Sequence, residues 1–222
     1  MDFKDTDIWI FDLDNTLYPP EVNLFAQIER RMVAFVMREY SVTAEQANRM
    51  RRDYWAAYGT TLAGLMAEHD VDPVAYLNEV HDIDFSVLPP APDLARAISA
   101  LPGRKLVHTN GDSTYAGKVL AALGLDGFEA IYGVEESDFI PKPEQEAYAS
   151  VMRQAGIDPS RAAFFEDDPR NLIVPHSLGM RTVLVGQGRD GPNALAGPGG
   201  IGDHVQHQTP DLTAFLRKIV PA

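Results

Sequence analysis

The 222-residue chain is 45% hydrophobic and 23% charged, a globular composition that excludes disordered, collagen-like and coiled-coil classes. Its 32 acidic against 19 basic residues give a formal net charge of −13, so its overall field repels nucleic acid and anionic membrane surfaces, and binding a small anion requires a locally positive site. The absence of cysteine excludes disulfides, thiolate nucleophiles and cysteine-ligated zinc, and it agrees with a reducing cytoplasm.

Met1–Asp5 lacks the basic region of an export signal, and the apolar run Ile8–Phe11 stops at Asp12. No stretch reaches the roughly 18 uninterrupted apolar residues of a membrane span. A soluble, cytoplasmic protein without a membrane partner is expected.

Ile8–Phe11 is short, continuous and β-prone, which predicts a strand buried on both faces. After Pro19-Pro20 the periodicity changes. Leu24, Phe25, Ile28, Met32, Phe35 and Val36 form a helical stripe over Glu21–Tyr40. Thr43-Ala44-Glu45-Gln46 reads as a capping box for a second helix that ends near Gly59. Shorter helices follow at Leu62–His69 and Pro73–Val80, and Pro89-Pro90 closes this all-helical stretch. Strands and helices then alternate. Helix Asp93–Leu101, strand Lys105–His108, helix Thr114–Leu123 and strand Ala130–Tyr132 come first. Helix Glu144–Ala155, strand Ala162–Phe165, helix Asn171–Leu178 and strand Thr182–Val185 complete the series. Such repetition predicts a parallel α/β sheet, here interrupted by the helical insertion. Gly186–Gly202 reads as a Gly/Pro-rich loop and Asp211–Ile219 as a terminal helix.

Ligand sites in open parallel sheets form beyond the carboxyl ends of the strands. After the first strand stand Asp12 and Asp14, which an extended backbone points to one side; adjacent carboxylates repel unless a cation or a proton intervenes. Thr109-Asn110-Gly111-Asp112 follows the second strand and offers hydroxyl, amide and backbone donors to an oxyanion. Lys142 lies between two prolines, and Glu166-Asp167-Asp168 follows a further buried strand. Hard oxygen ligands of this kind favour Mg²⁺ over zinc. Each segment alone is also compatible with an ordinary solvated turn or a surface lysine. Their convergence on one sheet edge is what marks a site.

These segments, in this order, resemble the four motifs of the haloacid dehalogenase superfamily of aspartate-nucleophile phosphohydrolases: Asp12-Leu13-Asp14-Asn15-Thr16, Thr109-Asn110, Lys142-Pro143 and Glu166-Asp167. The resemblance implies a Rossmann-like α/β core with helices on both faces, at residues 1–18 and 89–222, and a helical cap domain at 19–88. The segments Phe11–Pro19 and Phe165–Leu172 are similar to the pyrimidine 5′-nucleotidase branch.

By this resemblance Asp12 is the nucleophile that forms an aspartyl-phosphate, and Asp14 is the general acid and then the base. Thr109 and Lys142 hold phosphoryl oxygens. Mg²⁺ is bound by Asp12, the Asp14 backbone carbonyl and Asp167, with Asp168 as an additional candidate ligand and Glu166 orienting waters. Thr16, Tyr18, Asn110 and Arg52 are implied substrate-binding residues, and Glu21, Arg51, Tyr54 and Tyr58 are candidates to line the cap. His108 and His176 read as structural. The implied partner is a small phosphorylated metabolite, a pyrimidine nucleoside monophosphate, with no nucleic acid. Sugar-phosphate or phosphoglycolate phosphatase and phosphomutase activities share the motifs, and a receiver-like phospho-sensor shares the acids, hydroxyl and lysine. Asp14 and the helical insertion argue for phosphoryl transfer with turnover.

Overall fold

The structure, a computed structural model, describes residues 3–186 and 202–220. Six strands among them form one parallel sheet: β1 (Ile8–Phe11), β2 (Arg104–His108), β3 (Ala130–Tyr132), β4 (Ala162–Glu166), β5 (Arg181–Val185) and β6 (His207–Thr209). The order β3-β2-β1-β4-β5-β6 is that of a Rossmann-like α/β fold and puts β1 between β2 and β4, with Ile10 level with Leu106 and Phe164.

Alternation along the strands explains the two covered faces. Trp9, Phe11, Val107, Phe165 and Val183 belong to one apolar cluster with α5 (Pro92–Ser99), α6 (Ser113–Leu123) and α9 (Leu212–Ile219). Ile8, Ile10, Leu106, Phe164 and Leu184 belong to a second with α7 (Gln145–Ala155) and Val174 of the short α8 (Ile173–Ser177). Each fully buried side chain of this size contributes about 1.5–3 kcal/mol, so β1 is anchored from both sides.

Between β1 and α5 lie α1 (Leu24–Tyr40), α2 (Ala44–Tyr58), α3 (Thr61–His69) and α4 (Pro73–Val80). Thr43 and Gln46 form the anticipated reciprocal cap on α2, with Oγ1 accepting from the Gln46 N–H at 3.3 Å and Oε1 from the Thr43 N–H at 2.9 Å. Gly59 ends α2 at φ +83°; a Cβ there would stand 3.0 Å from the Lys142 carbonyl oxygen, so the backbone of this helix end lies directly on the Lys142 loop. Leu24, Ile28, Phe35, Leu65, Tyr76 and Val80 continue the apolar cluster of the first sheet face into these helices. No helix among the described residues is long and apolar enough to cross a membrane.

The structure departs from the sequence reading at three places. The first helix begins at Leu24 rather than Glu21, because Pro20–Val22 form a 3-10 turn and Asn23 takes a left-handed φ of 57°. The helix expected over Asn171–Leu178 splits into a 3-10 turn at Pro169–Leu172 and α8, with Asp168 capping the turn. β6 was not anticipated: His207-Gln208-Thr209 has no apolar run and is a strand through its edge pairing with β5. The expected loop Gly186–Gly202 falls, from 187 to 201, outside the described residues.

Candidate active site

The site is assembled at the carboxyl edge of the sheet, where the strand order reverses direction around β1. Asp12 follows β1 and its N–H donates to the Phe165 carbonyl at 2.9 Å. Thr109 follows β2 and donates likewise to Tyr132 at 3.0 Å. Glu166 ends β4, and Asp167 comes next. Strand ends locked into the ladder fix these side chains at the sheet's edge.

Lys142 enters from the loop before α7 and is only 1% exposed. Its Nζ donates to Asp12 Oδ1 at 2.7 Å, to Glu166 Oε2 at 2.7 Å and to the His108 carbonyl at 2.9 Å, which uses all three ammonium protons. Burial opposes the charge on this amine, but the two carboxylates outweigh burial and hold its pKa above the ordinary lysine value. The same burial, with Lys142 beside it, pushes the His108 imidazole well below its usual range, in keeping with a structural histidine.

Asn110 and Thr16 both bond to the residues of this cluster. Asn110 Nδ2 donates to the Lys142 carbonyl at 3.0 Å and its Oδ1 accepts from the Lys142 N–H at 2.8 Å, so the amide holds the lysine loop. Thr16 Oγ1 donates to Asp12 Oδ2 at 3.1 Å and orients that carboxylate. Thr109 is buried, with Oγ1 accepting from the Gly111 N–H at 3.0 Å.

Asp12, Glu166 and Asp167 each place a carboxylate oxygen within 4.8 Å of the others. Burial first, then the Asp12 charge, pushes Glu166 up to about 7 against the opposing pull of Lys142. Burial, Glu166 and Asp12 together hold Asp167 well above the usual carboxylate range. One ammonium among three crowded acids leaves excess negative charge, and this all-oxygen set fits a hard divalent cation. The Asp168 carboxylate accepts from the Arg170 backbone N–H at 3.0 Å, from Nε at 3.1 Å and from Nη2 at 2.7 Å, and is not among the three acids of the cluster. Adding Mg²⁺ to metal-free protein is expected to raise the thermal midpoint, by about 2.7 kcal/mol of stability at a hundred times Kd, and Asp167→Asn to remove the shift. An unchanged midpoint across millimolar Mg²⁺ would refute the cation site.

Asp14 lies in a tight turn in which the next residue, Asn15, has φ 60°. Its Oδ1 accepts from Tyr115 Oη at 2.5 Å and from Tyr18 Oη. Burial, then the Asp12 charge, raises the Asp14 pKa against the lowering effect of both phenols. Tyr115 stacks on His81, with ring centroids 4.1 Å apart, and His81 Nδ1 bonds Asp112 Oδ2 at 2.5 Å. Neither Tyr115 nor His81 was identified from sequence. Tyr115 sits in the first turn of α6, far along the chain from Asp14, and only the fold joins them.

Of the expected lining residues, Arg51 pairs with Glu29 at 2.8 Å, Tyr54 Oη bonds His69 Nε2 at 2.6 Å, and Tyr58 donates to Glu68, all within the helical segment. Arg52 is exposed on α2. Trp55 carries the Arg170 guanidinium 3.7 Å from its ring centroid. A cavity of about 730 Å³ is bordered by Thr16, Tyr18, Glu21, Leu94 and Asp167, large enough for a small metabolite.

Residues 6–179 match the haloacid dehalogenase-like hydrolase family. The chain is 25% identical over 194 residues to phosphate metabolism protein 8 of Saccharomyces cerevisiae, a match covering 80% of this chain and 60% of that protein. Among solved structures, L-2-haloacid dehalogenase from Xanthobacter autotrophicus with chloropropionic acid covalently bound superposes at TM-score 0.57 and 18% identity, covering 96% of this chain and 98% of that one. The HAD phosphatase from Thermococcus onnurineus does so at TM-score 0.60 and 16% identity, covering 96% and 97%. These likenesses establish a shared fold across dehalogenases and phosphatases alike. With the family match spanning most of the chain and the acidic cluster at the sheet's carboxyl edge, the chain belongs to the haloacid dehalogenase-like hydrolases.

Proposed function

We propose that this hydrolase is a Mg²⁺-dependent phosphatase of small phosphomonoesters, acting on pyrimidine nucleoside 5′-monophosphates in the cytoplasm. The observation that carries phosphoryl transfer over dehalogenation is Asp14. A halide leaves without a proton, whereas an alkoxide needs one, and Asp14 is a carboxyl two residues after Asp12 with its pKa raised by burial. The name of the yeast relative, phosphate metabolism protein 8, points the same way.

In this reading Asp12 attacks phosphorus, the ester P–O bond breaks, and Asp14 donates its proton to the departing alkoxide. A water then attacks the aspartyl-phosphate, giving its proton back to Asp14, and inorganic phosphate leaves. Lys142 holds Asp12 in place and offsets charge on the phosphoryl oxygens, and Thr109 supplies a hydroxyl donor beside them. Asp12, Asp167 and the Asp14 carbonyl would hold the cation, which when bound neutralises charge on the phosphoryl group. Residues 19–88 act as a cap over a core formed by 1–18 and 89–222, excluding water and selecting the leaving group.

Phosphate release with Mg²⁺ across a panel of phosphomonoesters tests this. UMP and CMP are expected to exceed purine nucleotides and sugar phosphates by about tenfold or more in kcat/KM. A sugar phosphate or phosphoglycolate as the best substrate would overturn the nucleotide assignment, and no release from any ester would overturn the phosphatase.

A further inference from the structure

Asp14 receives both of its hydrogen bonds on one oxygen. Tyr18 and Tyr115 both donate to Oδ1, and their own hydroxyl oxygens are 3.4 Å apart. Both phenols are buried, and each has the Asp14 carboxylate oxygen as the acceptor for its proton. A carboxyl oxygen that accepts two phenolic protons has no room for a third, so Oδ2 is the oxygen left to carry and deliver a proton.

We propose that Tyr115, together with Tyr18, is a positioning residue for proton transfer: it fixes the Asp14 carboxyl so that Oδ2 presents its proton to the leaving alkoxide. Resting on the phosphatase reading above, this gives Tyr115 a place in that reaction. Two contacts hold Tyr115 in turn. Its backbone N–H caps onto Asp112 Oδ1 at 2.7 Å, and its ring lies against His81, tilted by 14°. His81 immediately follows α4 and bonds the other Asp112 oxygen, so the helical insertion contributes to the acid's geometry as well as to the rim of the site.

A residue that aims an acid matters in proportion to how badly the leaving group needs a proton. Tyr115→Phe removes one hydroxyl and keeps the ring on His81. Its kcat/KM is expected to fall about tenfold on UMP, an alkyl ester, and by less than about twofold on p-nitrophenyl phosphate, whose phenolate departs unaided. Adding Tyr18→Phe should widen the gap in kcat/KM between the two esters. Asp14→Asn is the reference, with the same pattern at larger amplitude. Equal losses on both esters, or none, in Tyr115→Phe beside a leaving-group-dependent Asp14→Asn would overturn the positioning role alone. Equal losses in Asp14→Asn would overturn Asp14 as the acid, and the positioning role with it.

Discussion

Asp12→Asn is expected to cut phosphate release by about 10⁴-fold or more, the scale seen when a covalent nucleophile is removed. The amide occupies the same volume and can still receive Lys142 on its remaining oxygen, but it cannot form the acyl-phosphate bond. The fold should survive. Replacing one of three crowded acids relieves repulsion on Glu166 and Asp167, both pushed up in part by the Asp12 charge, and Lys142 keeps Glu166 and the His108 carbonyl as partners. Steady-state release and a thermal melt of the same preparation measure both halves. A folded variant with activity within tenfold of wild type would remove Asp12 from the chemistry.

Lys142→Met should do the opposite to stability. Methionine fills the channel, but Asp12 and Glu166 lose their cation inside the protein, a change that costs about 3–5 kcal/mol when one partner of a buried pair is removed. The loss should depend on pH. Glu166 sits near pH 7 in the folded state against an ordinary 4.5, so the stability it contributes is fully present below about 4.5 and is lost as pH rises through about 7. Without Lys142 that window extends upward, so the variant should be closest to wild type in mild acid and furthest from it above neutrality. Urea midpoints at pH 5 and pH 8 test this, and equal stability at pH 8 would show that the ion pairs contribute nothing. Turnover should also collapse, since the carboxylates and an incoming phosphate would share a pocket without its ammonium.

Much of the architecture was legible because burial leaves a plain mark on sequence. Ile8–Phe11 and Ala162–Phe165 are continuous apolar runs because both faces of a parallel sheet are covered, and the acids that end them stand out by contrast. The Thr43 capping box is a local device and was readable locally. What escaped the reading depends on distant or backbone partners. Asp168 looks like a ligand in a row of acids, yet Arg170 two residues on takes its carboxylate in a tight turn. The double hydrogen bond of Asn110 to the Lys142 backbone joins residues 32 apart and leaves no local mark. Tyr115 carries no mark in its own helix, where an aromatic residue on the buried face is ordinary packing.

The position of β1 has a consequence for biosynthesis. This strand emerges first yet lies in the middle of the sheet, where it needs β2 on one side and β4 on the other. The helices α1–α4 close mostly local contacts and can form while translation continues, whereas Ile8–Phe11 must wait until Ala162–Glu166 has left the ribosome. Until then one edge of this apolar strand stays open, so the segment that leads into Asp12 is the one most exposed to wrong pairing during synthesis.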